Sequence, residues 1–131
     1  TGWQAAVQCD IQRTDIVAIW GAGPVGQFAA RSALLLGAKE VVVIDRLPDR
    51  LSMAKACGCL TINFEEESVT ERLTELTGGE GPHKCIDAVG SENHVCLSQP
   101  DTILDRWDGC HMNETGLRKH AAAWVETLTR R

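Results

Sequence analysis

The glycines Gly21, Gly23 and Gly26 in the segment GAGPVG have the spacing G-x-G-x-x-G. This spacing is weak evidence alone, but here it follows an apolar run that predicts a strand and opens a segment with helical periodicity. In that context Gly21 permits a tight turn, Gly23 lets the backbone approach a pyrophosphate, and Gly26 lets the helix pack close to the strand. We expect the phosphates at the helix N-terminus, where free N–H groups and the helix dipole favour anions.

An acidic residue, Asp45, ends the next apolar run, about 20 residues after the glycines, as in dinucleotide-binding sites. A carboxylate here accepts hydrogen bonds from the ribose hydroxyls of adenosine and repels a 2′-phosphate, so it favours NAD over NADP. Two arginines leave alternatives open. Arg46 is also suited to hold a 2′-phosphate, and Arg50 is either a contact for the adenosine or an exposed helix residue.

The remaining reactive side chains predict no catalytic residue and no metal ligand. The six cysteines lack the spacing of a structural zinc site, and we expect reduced, mostly buried thiols. Each histidine is expected on the solvated surface, because none has a partner at metal-binding spacing. Asp87 lies in an otherwise apolar strand, where a structural hydrogen bond is favoured over a catalytic role. The histidines are His83, His94, His111 and His120.

The elements that must position these residues alternate between strand and helix. After a helix end around Trp3 to Val7, apolar runs predict strands at Ile16 to Trp20, Val41 to Asp45, Leu60 to Ile62 and Cys85 to Val89. Helices are predicted from Pro24 to Gly37, from Leu47 to Gly58 and from Ser68 to Gly78, the last with Glu71 completing a capping box. In the first of these helices, the residues expected to share one face are Val25, Phe28, Ala29, Ala33 and Leu36.

This alternation predicts an α/β fold, a Rossmann-type, doubly wound parallel sheet of about four strands in the order 3-2-1-4. The ligand of such a sheet lies outside the carboxyl ends of the strands, where the order reverses. Ala88, Val89 and Gly90 are therefore expected to border the cofactor. The alternation stops after Gly90. We expect residues 1–95 to form a partial NAD-binding domain and residues 96–131 a divergent tail, with spacing that suits a helix at 114–128.

Composition narrows the functional class. A length of 131 residues excludes a complete two-domain enzyme. The formal charge of −5, with no basic stripe, argues against nucleic acid as a partner. No apolar run approaches the roughly 20 residues that a membrane span needs, and the first residues lack a signal-like pattern, so a cytoplasmic location is expected.

Five segments, in their order along the chain, together resemble the cofactor domain of the zinc-containing alcohol dehydrogenases, the medium-chain dehydrogenase/reductase superfamily. The stretches IDR, FEEE and CIDAVGSE look most like the glutathione-independent formaldehyde dehydrogenase branch. The resemblance covers about residues 1 to 95. The five segments are TGWQAA, GAGPVGQFAARSALLLGAKEVVVIDRLPDRL, INFEEE, LTELTGGEGP and CIDAVGSE.

The resemblance implies reversible hydride transfer between NAD and an alcohol or aldehyde hydrate as the small-molecule substrate, with zinc as a Lewis acid. It implies that Thr1 lies near the nicotinamide and that Pro24 and Val25 join the glycines in the pyrophosphate loop. The zinc ligands of the family would precede Thr1, so we expect a truncated chain that is inactive alone. The tail is interpreted as a truncated or out-of-frame segment, and a homo-oligomer is expected for the intact enzyme.

Two alternatives remain open at this stage. The chain is also compatible with a non-catalytic module that senses NAD or NADH and signals through its tail. The glycine loop is also compatible with another adenosine ligand, such as S-adenosylmethionine.

Overall fold

The computed structural model describes residues 1–89, in which helices and parallel strands alternate as the sequence predicts. Within residues 1–89 the predicted helices form, and each strand lies within a few residues of its predicted bounds. The elements are α1 (Gly2–Gln8), β1 (Ile16–Trp20), α2 (Pro24–Leu35), β2 (Glu40–Asp45), α3 (Pro48–Ala56), β3 (Leu60–Asn63), α4 (Val69–Leu76) and β4 (Lys84–Asp87).

The strands pair in the order β3-β2-β1-β4, all parallel, which confirms the predicted fold class and strand order. Trp20 at the end of β1 is aligned with Ile44 on one side and with Asp87 on the other. Asp45 at the end of β2 is aligned with Asn63 of β3. The carboxyl ends of neighbouring strands therefore lie together at one edge of the sheet, where ligands of such sheets bind.

Apolar side chains cover both sides of this sheet, which explains why its central strands are almost uninterrupted apolar runs. One cluster joins the sheet to α1, α2 and α3 through residues such as Val17, Ile19 and Ala33. The other joins it to α4 through Leu73, Ile44 and their neighbours. Ile19 and Ile44 are fully buried, and burying side chains of this size contributes about 1.5–3 kcal/mol each.

Helix α2 packs on the sheet through small residues, and the prediction that Phe28 shares one face with Ala29 and Ala33 is wrong, because only the two alanines are buried. Phe28 is 61% exposed. Small side chains bring the helix axis close to the strands, and that close approach leaves no room for a benzyl group on the facing side. The buried residues of α2 are Gly26, Gln27, Ala29, Ala30, Ser32 and Ala33.

Helix α1 lies directly against α2 at Gly2. A Cβ built on Gly2 would come within 2.6 Å of the Ala29 nitrogen and 2.7 Å of the Val25 oxygen. Atoms at such distances clash, so the two helix backbones meet here without a side chain between them. Ala5 and Ala6 complete the buried side of α1.

Local signals end and begin the other helices as predicted. The Ser68 hydroxyl accepts a hydrogen bond from the Glu71 N–H at 3.4 Å, the first half of the predicted capping box. Within residues 1–89, no helix combines the length and apolar character needed to cross a membrane. Gly90, the tail at 96–131 and its predicted helix at 114–128 lie outside the described residues.

Candidate cofactor-binding site

The turn after β1 depends on Gly21, which adopts a φ of +96°. A Cβ at this position would lie 2.7 Å from the carbonyl oxygen of Ala88, so a side chain is excluded by contact as well as by backbone conformation. The Gly21 N–H donates to the Ile44 carbonyl at 2.8 Å. The turn is thus held between the ends of β2 and β4.

Gly26 and Gly23 lack side chains for different physical reasons. A Cβ on Gly26 would overlap the carbonyl oxygen of Gly21, so this glycine lets α2 approach the turn. Gly23 has an ordinary extended backbone, with φ −70°. A Cβ there would meet only the Arg50 Nη1 atom, at 3.8 Å. The space beside Gly23 is open, which is the geometry a backbone needs to approach a bulky anion.

The N-terminus of α2 offers hydrogen-bond donors beside this open space. Gly23 is the N-cap and has no side chain to cap the helix, and Pro24 occupies the first turn. The N–H of Gln27 makes the bond to the Gly23 carbonyl, at 2.8 Å. The N–H groups of Val25 and Gly26 precede that bond and have no partner within the helix. The positive end of the helix dipole therefore faces the same space.

Asp45 ends β2 with a buried carboxylate that is hydrogen-bonded to three backbone donors. Its Oδ2 accepts from the Ala22 N–H at 2.7 Å. Its Oδ1 accepts from the N–H groups of Arg46 at 2.6 Å and Leu47 at 2.9 Å. Burial raises the pKa of this carboxyl. The three donors and the Arg50 guanidinium together lower the pKa by more than burial raises it, so the pKa lies below its ordinary value of 3.8. Asp45 is ionised at neutral pH, and its Oδ2 can accept one further hydrogen bond, for example from a hydroxyl group.

Gln27 is a positioning residue of the turn that the sequence analysis did not identify. Its Nε2 donates to the Ala22 carbonyl at 3.0 Å and to the Arg50 carbonyl at 2.9 Å. The side chain is buried between the glycine turn and α3. No local signal in the sequence identifies it, because its partners lie on the glycine turn and on α3.

The two arginines after β2 lie in different surroundings. Arg50 places its guanidinium beside Gly23, as the Nη1 contact shows, so the structure brings it to the glycine turn. Arg46 instead points toward the end of β3, where its Nη1 lies 3.7 Å from Oε1 of Glu65. Both side chains of this ion pair are more than half exposed. Glu65 is a second residue that the sequence analysis did not single out.

The end of β4 borders the turn through its backbone. The Ala88 N–H donates to the Trp20 carbonyl at 2.7 Å, and the Ala88 carbonyl lies against Gly21. Asp87 is buried, and its Oδ1 accepts from the Val89 N–H at 3.0 Å. This bond is of the structural kind expected for Asp87. Val89 is 46% exposed, so its side chain faces outward next to the turn.

Thr1 lies at the N-cap of α1 and is exposed. Its carbonyl accepts the first bond of that helix, from the Ala5 N–H at 2.9 Å. Since α1 packs on α2, Thr1 is attached to the helix that begins at the glycine turn.

The expectation that His83 is a solvated surface residue is wrong. The side-chain Nδ1 of His83 accepts a hydrogen bond from the backbone N–H of Ile16 at 2.9 Å. The backbone N–H of His83 donates to the Ile16 carbonyl at 2.9 Å. The side chain therefore continues the ladder between β4 and β1 at the amino edge of the sheet, away from the glycine turn. His94, His111 and His120 lie outside the described residues.

Three of the four described cysteines are buried thiols, as expected. Burial raises the pKa of Cys85 to about 12. Burial, with a smaller effect of Cys57, raises the pKa of Cys59 to about 11 despite the nearby Arg31. The chain from residue 1 to residue 89 contains no group of three His, Cys, Asp or Glu side chains that could hold a metal ion. The described part therefore does not fit a zinc centre. Cys96 and Cys110 lie beyond it.

Comparisons with known proteins place this geometry in a family. The chain is 40% identical over 93 residues to the glutathione-independent formaldehyde dehydrogenase of Bacillus subtilis, a match covering 70% of this chain and 23% of that protein. It is 36% identical over 91 residues to a probable NADP-dependent isopropanol dehydrogenase of Mycoplasma pneumoniae, covering 69% and 26%. The chain thus spans about a quarter of the length of these relatives.

A solved structure and a family model agree with these relatives. An Escherichia coli oxidoreductase/dehydrogenase of unknown specificity superposes with a TM-score of 0.67 and 31% identity, over 72% of this chain and 28% of that one. The family model described as zinc-binding dehydrogenase matches residues 24–106, which is more than half of the chain. Together with the parallel sheet and the glycine turn, this match shows that the chain belongs to the zinc-binding dehydrogenase family.

Proposed function

We propose that residues 1–89 hold the NAD-binding site of a zinc-dependent alcohol or formaldehyde dehydrogenase. The observation that carries the proposal is the open space beside Gly23, next to free N–H groups at the start of α2. A pyrophosphate there would receive hydrogen bonds from the backbone and favourable charge from the helix dipole. The Arg50 guanidinium beside Gly23 adds a second positive charge to the same space.

Asp45 supplies the subsite for the adenosine ribose in this proposal. Its ionised carboxylate still has acceptor capacity beyond the three backbone bonds, because each carboxylate oxygen accepts about two hydrogen bonds. One such acceptor site remains, on Oδ2, and a ribose hydroxyl would fill it. Arg46 would lie at the outer side of the ribose. Ala88 and Val89 would border the cofactor at the end of β4, and Thr1 would lie toward the nicotinamide.

When bound, NAD accepts a hydride from an alcohol or aldehyde hydrate, and the protein binds and orients it. The residues of this chain would fix the phosphates at Gly21, Gly23, Pro24, Val25 and Gly26, and so set the direction in which the rest of the cofactor extends. The described residues do not fit a zinc ligand set. We expect the 131-residue chain alone not to oxidise alcohols or aldehydes.

Isothermal titration of the purified 131-residue chain tests the proposal. We expect saturable binding of NAD⁺ and NADH with one site per chain, and no binding of S-adenosylmethionine at the same concentrations. Gly23→Ala should abolish the NAD⁺ signal while the thermal unfolding midpoint changes little. Binding of S-adenosylmethionine in place of NAD⁺, or binding unaffected by Gly23→Ala, would contradict the proposal. The sensing alternative depends on the tail, which lies outside the described residues.

A further inference from the structure

We propose that Glu65 is a specificity-determining residue that makes this site select NAD over NADP by neutralising Arg46. The inference rests on the proposed function and concerns the adenosine end of the same site. Family membership does not decide this choice, because one relative is named as an NADP-dependent enzyme.

Arg46 is the residue of this site suited to attract a 2′-phosphate. Arg46 directly follows Asp45, and its backbone N–H donates to the Asp45 carboxylate. An arginine beside the ribose-binding acid is the usual means of accommodating the extra phosphate of NADP. Its side chain is 61% exposed, so it is accessible to a ligand. By itself, therefore, Arg46 would favour NADP and oppose the effect of Asp45.

Glu65 lies against this arginine, with its Oε1 3.7 Å from the Arg46 Nη1. The carboxylate removes the net positive charge that a 2′-phosphate would meet. Asp45, Arg46 and Glu65 together then carry a net charge of −1, where Asp45 and Arg46 alone would carry none. Such exposed ion pairs contribute little to fold stability. The ion pair therefore matters mainly for ligand binding, because it weakens the attraction of Arg46 for an anionic group.

The backbone holds Glu65 in this place through Asn63. Asn63 is aligned with Asp45 across the β2–β3 pair, and its Oδ1 accepts from the Glu65 N–H at 3.0 Å. Its Nδ2 donates to the Arg46 carbonyl at 3.4 Å. The Phe64 N–H donates to the Asp45 carbonyl at 3.3 Å. The segment that carries Glu65 is thus bonded to the segment that carries Arg46, and the pairing of the two side chains follows from the sheet register.

The test is Glu65→Gln in the 131-residue chain, with the dissociation constants of NAD⁺ and NADP⁺ measured by isothermal titration. Removing the Glu65 carboxylate leaves Arg46 available to pair with the 2′-phosphate, which should tighten NADP⁺ binding about three- to tenfold at low salt, with a smaller gain at high salt. NAD⁺ binding should change less than about twofold, because NAD⁺ has no group at that place. The matched control is Glu40→Gln, at the amino end of β2, which should alter neither constant.

A double variant tests whether Glu65 acts on NADP⁺ binding by neutralising Arg46. In the Arg46→Gln background, Glu65→Gln should lose more than half of its effect on NADP⁺ binding. If the wild-type chain binds NAD⁺ and Glu65→Gln leaves the NADP⁺ constant unchanged, the specificity inference is wrong and the proposed function stands. If the wild-type chain binds neither cofactor, the proposed function fails and the inference fails with it.

Discussion

The carboxylate of Asp45 accepts a hydrogen bond from the backbone N–H of Ala22 at 2.7 Å. The residue that ends β2 therefore holds the glycine turn that follows β1. The same carboxylate also closes the turn after its own strand, through the N–H groups of Arg46 and Leu47. Asp45 thus shapes both turns in the structure as it stands, and a bound ribose would share a carboxylate that is already fixed in place.

Asp45→Asn should destabilise the chain and abolish NAD⁺ binding. The amide has one acceptor oxygen in place of two, so at least one buried N–H loses its partner, at a cost of about 1–3 kcal/mol. Urea denaturation followed by circular dichroism measures the loss. An unchanged unfolding free energy would show that the three bonds to Asp45 contribute nothing.

The same residue should give the fold a dependence on acid. Because the folded-state pKa of Asp45 lies below its ordinary value of 3.8, the unfolded chain binds the proton more readily. The stabilisation is present above that value and is lost as the pH falls through the lower folded-state pKa. Unfolding free energies at decreasing pH should decline more steeply below pH 3.8 for the wild type than for Asp45→Asn. Parallel curves would contradict the prediction.

Alanine at Gly26 and alanine at Gly23 should separate folding from binding. Gly26→Ala places a methyl group on the Gly21 carbonyl, and overpacking of this kind costs about 1–3 kcal/mol or more. Gly23→Ala meets only the end of a flexible arginine, so the fold should persist while the pyrophosphate is kept away. Thermal unfolding and NAD⁺ titration of both variants measure the two effects. Equal thermal destabilisation by the two alanines would overturn this assignment.

Gln27→Met should loosen the glycine turn without changing the volume of the buried side chain much. It removes the donor that serves the carbonyls of Ala22 and Arg50, and the loss of the buried bond to Ala22 costs about 1–3 kcal/mol. Weaker NAD⁺ binding should accompany the lower unfolding free energy. The control is Ser32→Ala on the same helix, because the Ser32 hydroxyl bonds only the Phe28 carbonyl of its own helix. A larger loss for Ser32→Ala than for Gln27→Met would contradict the role given to Gln27.

His83→Leu should destabilise the sheet by about 1–3 kcal/mol, since it leaves the Ile16 N–H without the Nδ1 acceptor. His83→Asn is the matched variant, because the Asn side-chain oxygen reaches nearly the position of Nδ1 and should restore most of the stability. Chemical denaturation of both variants is the measurement. NAD⁺ binding should be unaffected in either, as His83 lies at the opposite edge of the sheet. Equal losses for Leu and Asn would show that the hydrogen bond is not the reason for any effect.

Much of this fold is predictable because its signals are local or periodic. The apolar runs that become β1 and β2 are buried on both faces, and the change to helical spacing at Pro24 marks the turn between them. The strand order followed from the right-handed crossovers expected of such alternation. The glycines at 21 and 26 were correctly given the roles of turn and close approach, because their spacing is tied to that backbone geometry.

The residues that sequence reasoning missed are polar groups whose partners lie far along the chain. Gln27, His83 and Glu65 each contact a residue on another element, and no local pattern distinguishes such a side chain from a solvated one. Phe28 was misplaced for a related reason. Helical periodicity groups the apolar residues of α2 on one broad face. The close packing of Ala29 and Ala33 on the sheet decides which part of that face is buried, and Phe28 lies outside that part.

The contact of Gly2 with the backbone of α2 fixes the distance between Thr1 and the glycine turn. Thr1 begins the helix that this contact clamps, and the glycine turn begins the helix it is clamped to. No side chain separates the two helix backbones at this contact. The distance between Thr1 and Gly23 is therefore set by backbone packing. A single methyl group at residue 2 would therefore shift Thr1 relative to the glycine turn.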